Sequence, residues 1–359
     1  MRILYGVQAT GQGHISRARA MAEAFQPYPL QVDWLFSGRE RERLFDMELF
    51  GNFLHRRGLT FATHNGRIQH LKTALSNNLP IFLRDIWQLP VKDYDLVVTD
   101  FEPVTAWACK LRGVNSIGIG HQYAFGGNAP VTGADWLSRL IMRQFAPVSL
   151  GLGLHWHGYD PHTLPPILDL GDAAIETGAH FLVYLPFEDQ ARVTRWLNDQ
   201  PDYEFRQYAP GLPEDRQRNV KRHPTSISAF KQDLHSCRGV ICNAGFELLS
   251  ECLELGKPAL TKPLSGQTEQ ESNALALTQL GYATAMTDLD DRRLAAWLRN
   301  TPAAPEICFS DVAASLADWL FNNCHEPAAT LSARLWQNSA TPAPPNPRST
   351  VAPAFHAAL

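Results

Sequence analysis

Short apolar runs, each followed by a turn and an amphipathic stretch, recur along most of this chain. Strand-length runs fall at 3–7, 32–36, 95–99 and 116–120, with helical patterns at 16–25, 39–50, 68–88 and 104–111 between them. A second set begins near 180, with strands at 181–185, 204–207, 220–222, 239–242 and 259–262. Its helices are expected at 188–197, 229–235, 246–255, 269–280 and 292–299. Near-continuous apolar strands separated by helices specify parallel sheets covered on both faces, and right-handed crossovers make such sheets doubly wound. The fold class that follows is α/β. A chain of 359 residues exceeds what one core usually fills, so two Rossmann-like domains are expected. The first runs 1–165 and the second 173–309, with Pro161, Pro165 and Pro166 breaking regularity at the joint. The stretch 310–325 carries a helix at 311–321 with Leu316, Trp319, Leu320 and Phe321, expected to pack across both domains. The remainder, 326–359, is rich in Pro, Ala, Ser and Thr and reads as a flexible tail.

Bulk properties narrow the function. The formal net charge is -4 and no basic tract stands out, which argues against nucleic-acid binding. Cys109, Cys237, Cys242, Cys252, Cys308 and Cys324 form no CxxC pair and lack zinc-ligand spacing, so they read as reduced thiols of a cytosolic protein with no metal site. The opening MRILYGVQ enters a strand directly, without a basic n-region, and no uncharged apolar run reaches about 18 residues. A cytoplasmic protein is expected, with peripheral contact at the inner face of the membrane left open. The segment 134–154, with Trp136, Leu137, Leu140, Ile141, Met142 and Phe145 beside Arg139 and Arg143, reads as a core-facing helix or an interfacial one.

The chemistry concentrates in two places. From 239 to 283 the chain reads strand, glycine turn, helix, strand, polar loop, helix. Asn243, Ala244, Gly245 and Phe246 place free N–H groups and a helix dipole after a strand, a site for a diphosphate. Glu251, about one and a half turns into that helix among apolar neighbours, is suited to accept ribose hydroxyls. Gln267, Glu269, Gln270 and Asn273 offer amides and carboxylates to sugar hydroxyls. Ser228 and Ala229 offer backbone groups to a uracil edge, and Phe230 either flanks that base or packs in the core.

The second place is Gly11-Gln12-Gly13-His14-Ile15-Ser16-Arg17, after the first strand. It lacks the third glycine of a dinucleotide fingerprint and the Gly-Lys-Ser/Thr ending of a P-loop. His14 falls at the carboxyl end of a strand, the edge where doubly wound sheets bind ligands. There a neutral imidazole takes a proton from an acceptor hydroxyl, or else caps the helix. Asp100 or Glu102 either orients that imidazole or caps the helix starting at Pro103. His121 follows another strand at the same edge, and Gly126, Gly127 and Asn128 give the next loop freedom.

With these residues together, the chain resembles the GT-B glycosyltransferases. Closest are the UDP-glycosyltransferase-like enzymes and the N-acetylglucosaminyltransferase of peptidoglycan lipid II, related to glycosyltransferase families 1 and 28. Gly245, Glu251, Gly256, Pro258, Pro263, Gln270, Asn273 and Ala274 match their late motif. Gly11, Gly13, His14 and Arg17 match the GxGHxxR start of a bacterial and archaeal subgroup. The resemblance covers roughly residues 1–325. It implies inverting transfer of a sugar from a nucleotide sugar, UDP-linked, to a hydroxyl acceptor, without a metal or cofactor. In that reading His14 is the base and Asp100 its partner, while Asn243 to Phe246 hold the diphosphate and Glu251 the ribose. Glu269, Gln270 and Asn273 meet the sugar or a neighbouring loop, and the acceptor is lipid-linked or a cell-envelope glycan. Two other readings share the architecture: a UDP-sugar 2-epimerase or hydrolase, and a non-catalytic sugar-nucleotide-binding protein. The chain departs from many relatives at Leu185-Pro186-Phe187-Glu188, where they carry a glycine-serine turn. Its Gln267–Asn273 loop also lacks the acidic-glutamine pair of the plant and animal enzymes.

Overall fold

Every apolar run read as a strand forms one, to within a residue or two at its ends. The structure is a computed structural model and describes residues 1–60, 63–64, 67–68, 78–132, 136–171, 174–176 and 178–342. The first half contains β1 (Arg2–Gln8), α1 (Gln12–Phe25), β2 (Gln31–Ser37), β3 (Leu54–His55), β4 (Thr63–His64) and β5 (Arg67–Ile68). It continues with α2 (Leu79–Gln88), β6 (Leu96–Asp100), α3 (Pro103–Arg112), β7 (Ile117–Gly120), α4 (Trp136–Phe145), β8 (Leu150–Leu154) and β9 (Thr163–Leu164). Its main sheet is wholly parallel, in the order β3-β2-β1-β6-β7-β8-β9. The strand order turns back at β1, which lies between β2 and β6. A crevice opens at such a point because the flanking crossovers leave on opposite faces.

The second half repeats the plan. It contains β10 (His180–Tyr184), α5 (Gln190–Asn198), β11 (Glu204–Tyr208), β12 (Asp215–Gln217), β13 (Val220–His223) and α6 (Ile227–Ser236). Then follow β14 (Gly239–Asn243), α7 (Phe246–Glu254), β15 (Ala259–Lys262), α8 (Thr268–Leu280), β16 (Thr284–Ala285) and α9 (Asp291–Arg299). The order is β12-β13-β11-β10-β14-β15-β16, parallel except for β12 against β13.

One apolar core runs through both halves, taking Tyr5, Leu154 and Trp156 from the first and Phe246, Leu249 and Leu277 from the second. The chain then returns. In α10 (Val312–Phe321), Phe321 meets the ring of Tyr28 at 4.9 Å, while the nearby Phe309 N–H donates to Glu254 at 2.7 Å. The helix thus meets the first half, and the segment just before it is bonded to the second.

Three expectations need correction. The flexible tail does not begin at 326, because α11 (Ala328–Gln337) buries Leu331 and Leu335 against the first half. Ser332 Oγ and Trp336 Nε1 each donate to the Thr163 carbonyl at 2.7 Å. Residues 343–359 lie outside the described residues. The helix read at 39–50 is instead two short 3-10 turns, Arg41–Arg43 and Glu48–Phe50, parted by Asp46 at φ 53. A left-handed residue there interrupts any helix. Within the helix read at 68–88, one helix runs Leu79–Gln88, and the Asn78 side chain caps it by accepting from Ile81 N at 3.1 Å. Arg67–Ile68 pairs antiparallel with Thr63–His64, and 69–77 lie outside the described residues.

Glycines in β7 and β8 position one side of the site. Gly118 pairs with Gly151 and Gly120 with Gly153, so one face carries no side chains. The 3-10 helix His121–Gly126 lies on this bare floor, and a Cβ at 153 would fall 2.5 Å from the Ala124 Cα. Close approach of backbone to backbone is what glycine permits there.

Candidate active site

His14 stands in the first turn of α1, and Asp100 is the last residue of β6, beside Val7 of β1 in register. They therefore meet where the strand order turns back. His14 Nδ1 lies 2.9 Å from Asp100 Oδ1. The sequence left two acids open for the partner, and local geometry separates their roles. Glu102 caps α3, accepting from Val104 N at 2.8 Å and Thr105 N at 2.6 Å, and from Ser37 Oγ at 2.6 Å. Phe101, between the two acids, sits at φ 54 and turns the chain so that Asp100 points the other way. A non-glycine residue in that region is strained and is held there by its surroundings; the Phe101 ring stacks on Phe145 at 5.0 Å. Gly120 makes room for the carboxylate, since a Cβ there would fall 2.9 Å from Asp100 Oδ1.

Arg17, one helical turn after His14, is buried and fixes Asp100 with a two-pronged bond. Its Nε lies 3.0 Å from Oδ2 and its Nη2 2.7 Å from Oδ1. Nη2 is also 2.8 Å from His14 Nδ1. With a proton on Nδ1 the ring donates to Asp100 and leaves the Nε2 lone pair open, and Arg17 Nη2, a donor only, then bonds Asp100 rather than Nδ1. Burial pushes the Asp100 carboxyl upward, but Arg17 and His14 outweigh it and hold the group below its ordinary range. The third guanidinium nitrogen pairs with Glu247 of the second half. Gln122 Nε2 lies 3.5 Å from His14 Nε2 and donates to Glu269 Oε2 at 3.1 Å.

Between the halves lies a cleft enclosing about 710 Å³ of empty space, solvent included, bordered by Gly13, Ser16, Tyr184, Phe230, Glu247 and Glu251. The amino end of α7 forms part of it. Gly245 precedes that helix in extended conformation, and no side chain caps the N–H groups. Such an end attracts anions through its dipole and unclaimed donors. Glu251 faces the cleft one turn on, bonded at 2.6 Å to Lys231 Nζ, which also donates to the Asp169 carbonyl. Burial pushes the Glu251 carboxyl upward, and Lys231 counters part of that. Phe230 borders the cleft and packs against Tyr184 and Tyr208 at 5.3 Å each.

Three residues expected at the site are engaged elsewhere. His121 is wholly buried, stacked on Phe246 with centroids 3.9 Å apart. Its Nδ1 faces the Leu154 carbonyl at 2.7 Å and its Nε2 faces Asn273 Oδ1 at 2.6 Å. Asn273 donates its amide to the Ala244 carbonyl at 2.9 Å. Gln270 accepts from Leu264 N at 3.0 Å. These polar groups are spent on protein partners inside the packed interface, whereas Glu269 is linked to His14 through the Gln122 amide. Asn243 and Ala244 are buried behind the helix end, with Asn243 Nδ2 donating to the Lys262 carbonyl at 2.9 Å. Gly11 is the residue before α1, with open space around it. Gly13 lies under the Glu247 carboxylate, which a side chain at 13 would strike. In the departing loop, Glu188 is neutralised by Lys262 at 2.7 Å. Sequence reasoning missed Gln122, Lys231 and Glu247, and gave Arg17 only a place in a motif.

Residues 1–136 and 158–302 match the model of Glycosyl transferase family 1. The chain belongs to this family. No curated protein matches it. Among solved structures, the glycosyltransferase SnogD from Streptomyces nogalater is 17% identical, over 94% of this chain and 99% of that one, with TM-score 0.51. Spinosyn rhamnosyltransferase SpnG, complexed with spinosyn aglycone, is 15% identical, over 94% and 100%, with TM-score 0.54. MurG of Acinetobacter baumannii is 15% identical, over 93% and 92%, with TM-score 0.50. The fold of this glycosyltransferase is GT-B. No helix among its described residues is long and apolar enough to cross a membrane.

Proposed function

We propose that this glycosyltransferase moves a sugar from a nucleoside-diphosphate sugar, UDP-linked, to a hydroxyl acceptor with inversion, using no metal or cofactor. The observation that carries the reading is the His14–Asp100 pair at the switch point of one half, near the uncapped amino end of α7 in the other. His14 Nε2 takes the acceptor proton as the acceptor oxygen attacks the anomeric carbon. The bond from that carbon to the diphosphate oxygen breaks, and Asp100 stabilises the imidazolium that forms. The α7 amino end offsets charge on the departing diphosphate. Gly245 and Phe246 contribute backbone, Glu251 the ribose contact, Phe230 a flank for the base, and Glu269 a group for the sugar.

Peripheral contact with an anionic membrane face belongs to the same reading. Leu79, Leu83 and Trp87 line one side of α2 at 60%, 60% and 78% exposure, with Arg84 beside them. Leu111 of α3 is 59% exposed, and Arg112 places its guanidinium over the Trp87 ring. An apolar stripe with basic neighbours, on a chain of net charge -4, suits anionic headgroups. Of the 134–154 segment, Phe145 is buried and Leu140 exposed, while the side chains of 136–139 and 141 lie outside the described residues.

A thermal-shift screen of UDP, GDP and dTDP sugars, followed by nucleotide release with and without acceptor, tests the proposal. SpnG has been solved with thymidine diphosphate, so dTDP donors belong in the screen. Acceptor-dependent UDP release supports transfer. Inversion at sugar C2 or acceptor-independent hydrolysis replaces it with the epimerase or hydrolase, and tight binding without turnover replaces it with a binding protein.

A further inference from the structure

We infer that Glu247 is a built-in competitor for the donor phosphates: its carboxylate occupies the approach to Arg17 and the α1 amino end, and an entering diphosphate must displace it. The inference rests on the donor reading above.

Arg17 is only 2% exposed, and two of its nitrogens are committed to Asp100. The third reaches Glu247, whose side chain is 18% exposed and borders the cleft. Glu247 is the second residue of α7, where a carboxylate commonly folds back onto free N–H groups. Here it makes no such cap. It crosses to the first half and lies over Gly13, where any side chain would overlap its Oε2. Its Oε1 is buried against the Arg17 guanidinium. A negative group thus rests against a guanidinium and between two helix amino ends, the surroundings a phosphate seeks.

Holding the halves together does not require this pair. His121 stacks on Phe246 and faces Asn273, Trp156 Nε1 donates to Ser250 Oγ at 2.8 Å, and the segment 309–321 bonds Glu254 through Phe309 N–H and meets Tyr28 through Phe321. All of these contacts are independent of Glu247. Nor does the pair orient the dyad, because Arg17 reaches Asp100 through its other nitrogens. What the carboxylate does is place a like charge where the diphosphate charge must go. That weakens donor and product binding together and speeds the departure of the nucleotide.

Calorimetry with UDP and dTDP on the wild type, Glu247→Gln and Glu247→Asp tests this. Removing the charge in Glu247→Gln should tighten diphosphate binding roughly tenfold, the scale of one lost like-charge contact. Glu247→Asp keeps the charge on the same turn but is one methylene too short for Arg17, so it should tighten by less than Gln yet measurably. Unchanged or weaker binding by Glu247→Gln, at an unaltered melting temperature, overturns the inference and leaves the donor reading intact, because the wild type still binds. Should Gln fail to fold, Asp decides alone: wild-type affinity overturns, tighter affinity supports. No binding of either nucleotide by the wild type or the variants removes the donor reading, and the inference with it.

Discussion

His14 is surrounded by atoms supplied by distant stretches of chain. Asp100 meets its Nδ1, Arg17 fixes Asp100, and Gln122 faces its Nε2, the nitrogen that takes the proton in the proposed reaction. Replacing His14 by Ala should lower kcat by at least about 100-fold, the scale of a lost general base. Acceptor-dependent nucleotide release at a near wild-type rate would exclude it from the proton transfer. In the proposed function Glu251 contacts the ribose. Glu251→Ala should weaken UDP binding by roughly ten- to a hundredfold, the scale of charged hydrogen bonds, with a smaller effect on turnover at saturation. Unchanged UDP affinity by calorimetry would remove the ribose role. His14, Asp100 and Glu251 were legible in the sequence because position within a strand-turn-helix unit decides which edge a residue faces. Lys231, Glu247 and the interface role of His121 were not, since each depends on a partner from another element. His121 meets Asn273 across 152 positions, a distance no local pattern spans.

Among the elements, buried parallel strands were readable because they leave continuous apolar runs. Two-residue strands such as β3, β9 and β16 carry no periodicity, and β8 was lost inside a longer helical reading. The same strand explains why: LGLGL alternates leucine with glycine, and the glycines are there for the chain above them. Gly153→Ala should destabilise the fold by about 1–3 kcal/mol in urea unfolding, since its methyl would press on Ala124 backbone. Gly11→Ala, with open space around it, should unfold like the wild type; an equal loss in both would refute the packing argument. For α2, Leu83→Glu and Trp87→Glu together should abolish sedimentation with vesicles containing anionic lipid. Retained co-sedimentation would place any membrane contact elsewhere.

Across the whole molecule, the interface between the halves carries two buried histidines, His121 and His155. Burial holds His121 below its ordinary value, and burial with two neighbouring imidazoles holds His155 well below. Unfolded, both take up protons below about pH 6.5; folded, they resist. The unfolded chain then binds more protons, so stability falls as pH drops beneath about 6.5 and is unaffected above it. Glu102 and Glu251, whose carboxyls burial pushes upward, act in the opposite sense, so the comparison between variants is the informative one. His155→Phe should lose less melting temperature between pH 7 and 5 than the wild type. Parallel curves would refute the histidine contribution.

The Thr163 carbonyl receives its two donors from Ser332 and Trp336, 169 and 173 positions later. A ribosome thus completes the rim of the first sheet only after it has made the strands of both sheets. Nascent chains stalled with residue 325 outside the tunnel should be nicked by protease around β9, and those extended past 342 should resist. Biosynthesis of this glycosyltransferase is then a matter of delayed finishing, in which an edge made midway waits for a helix made much later.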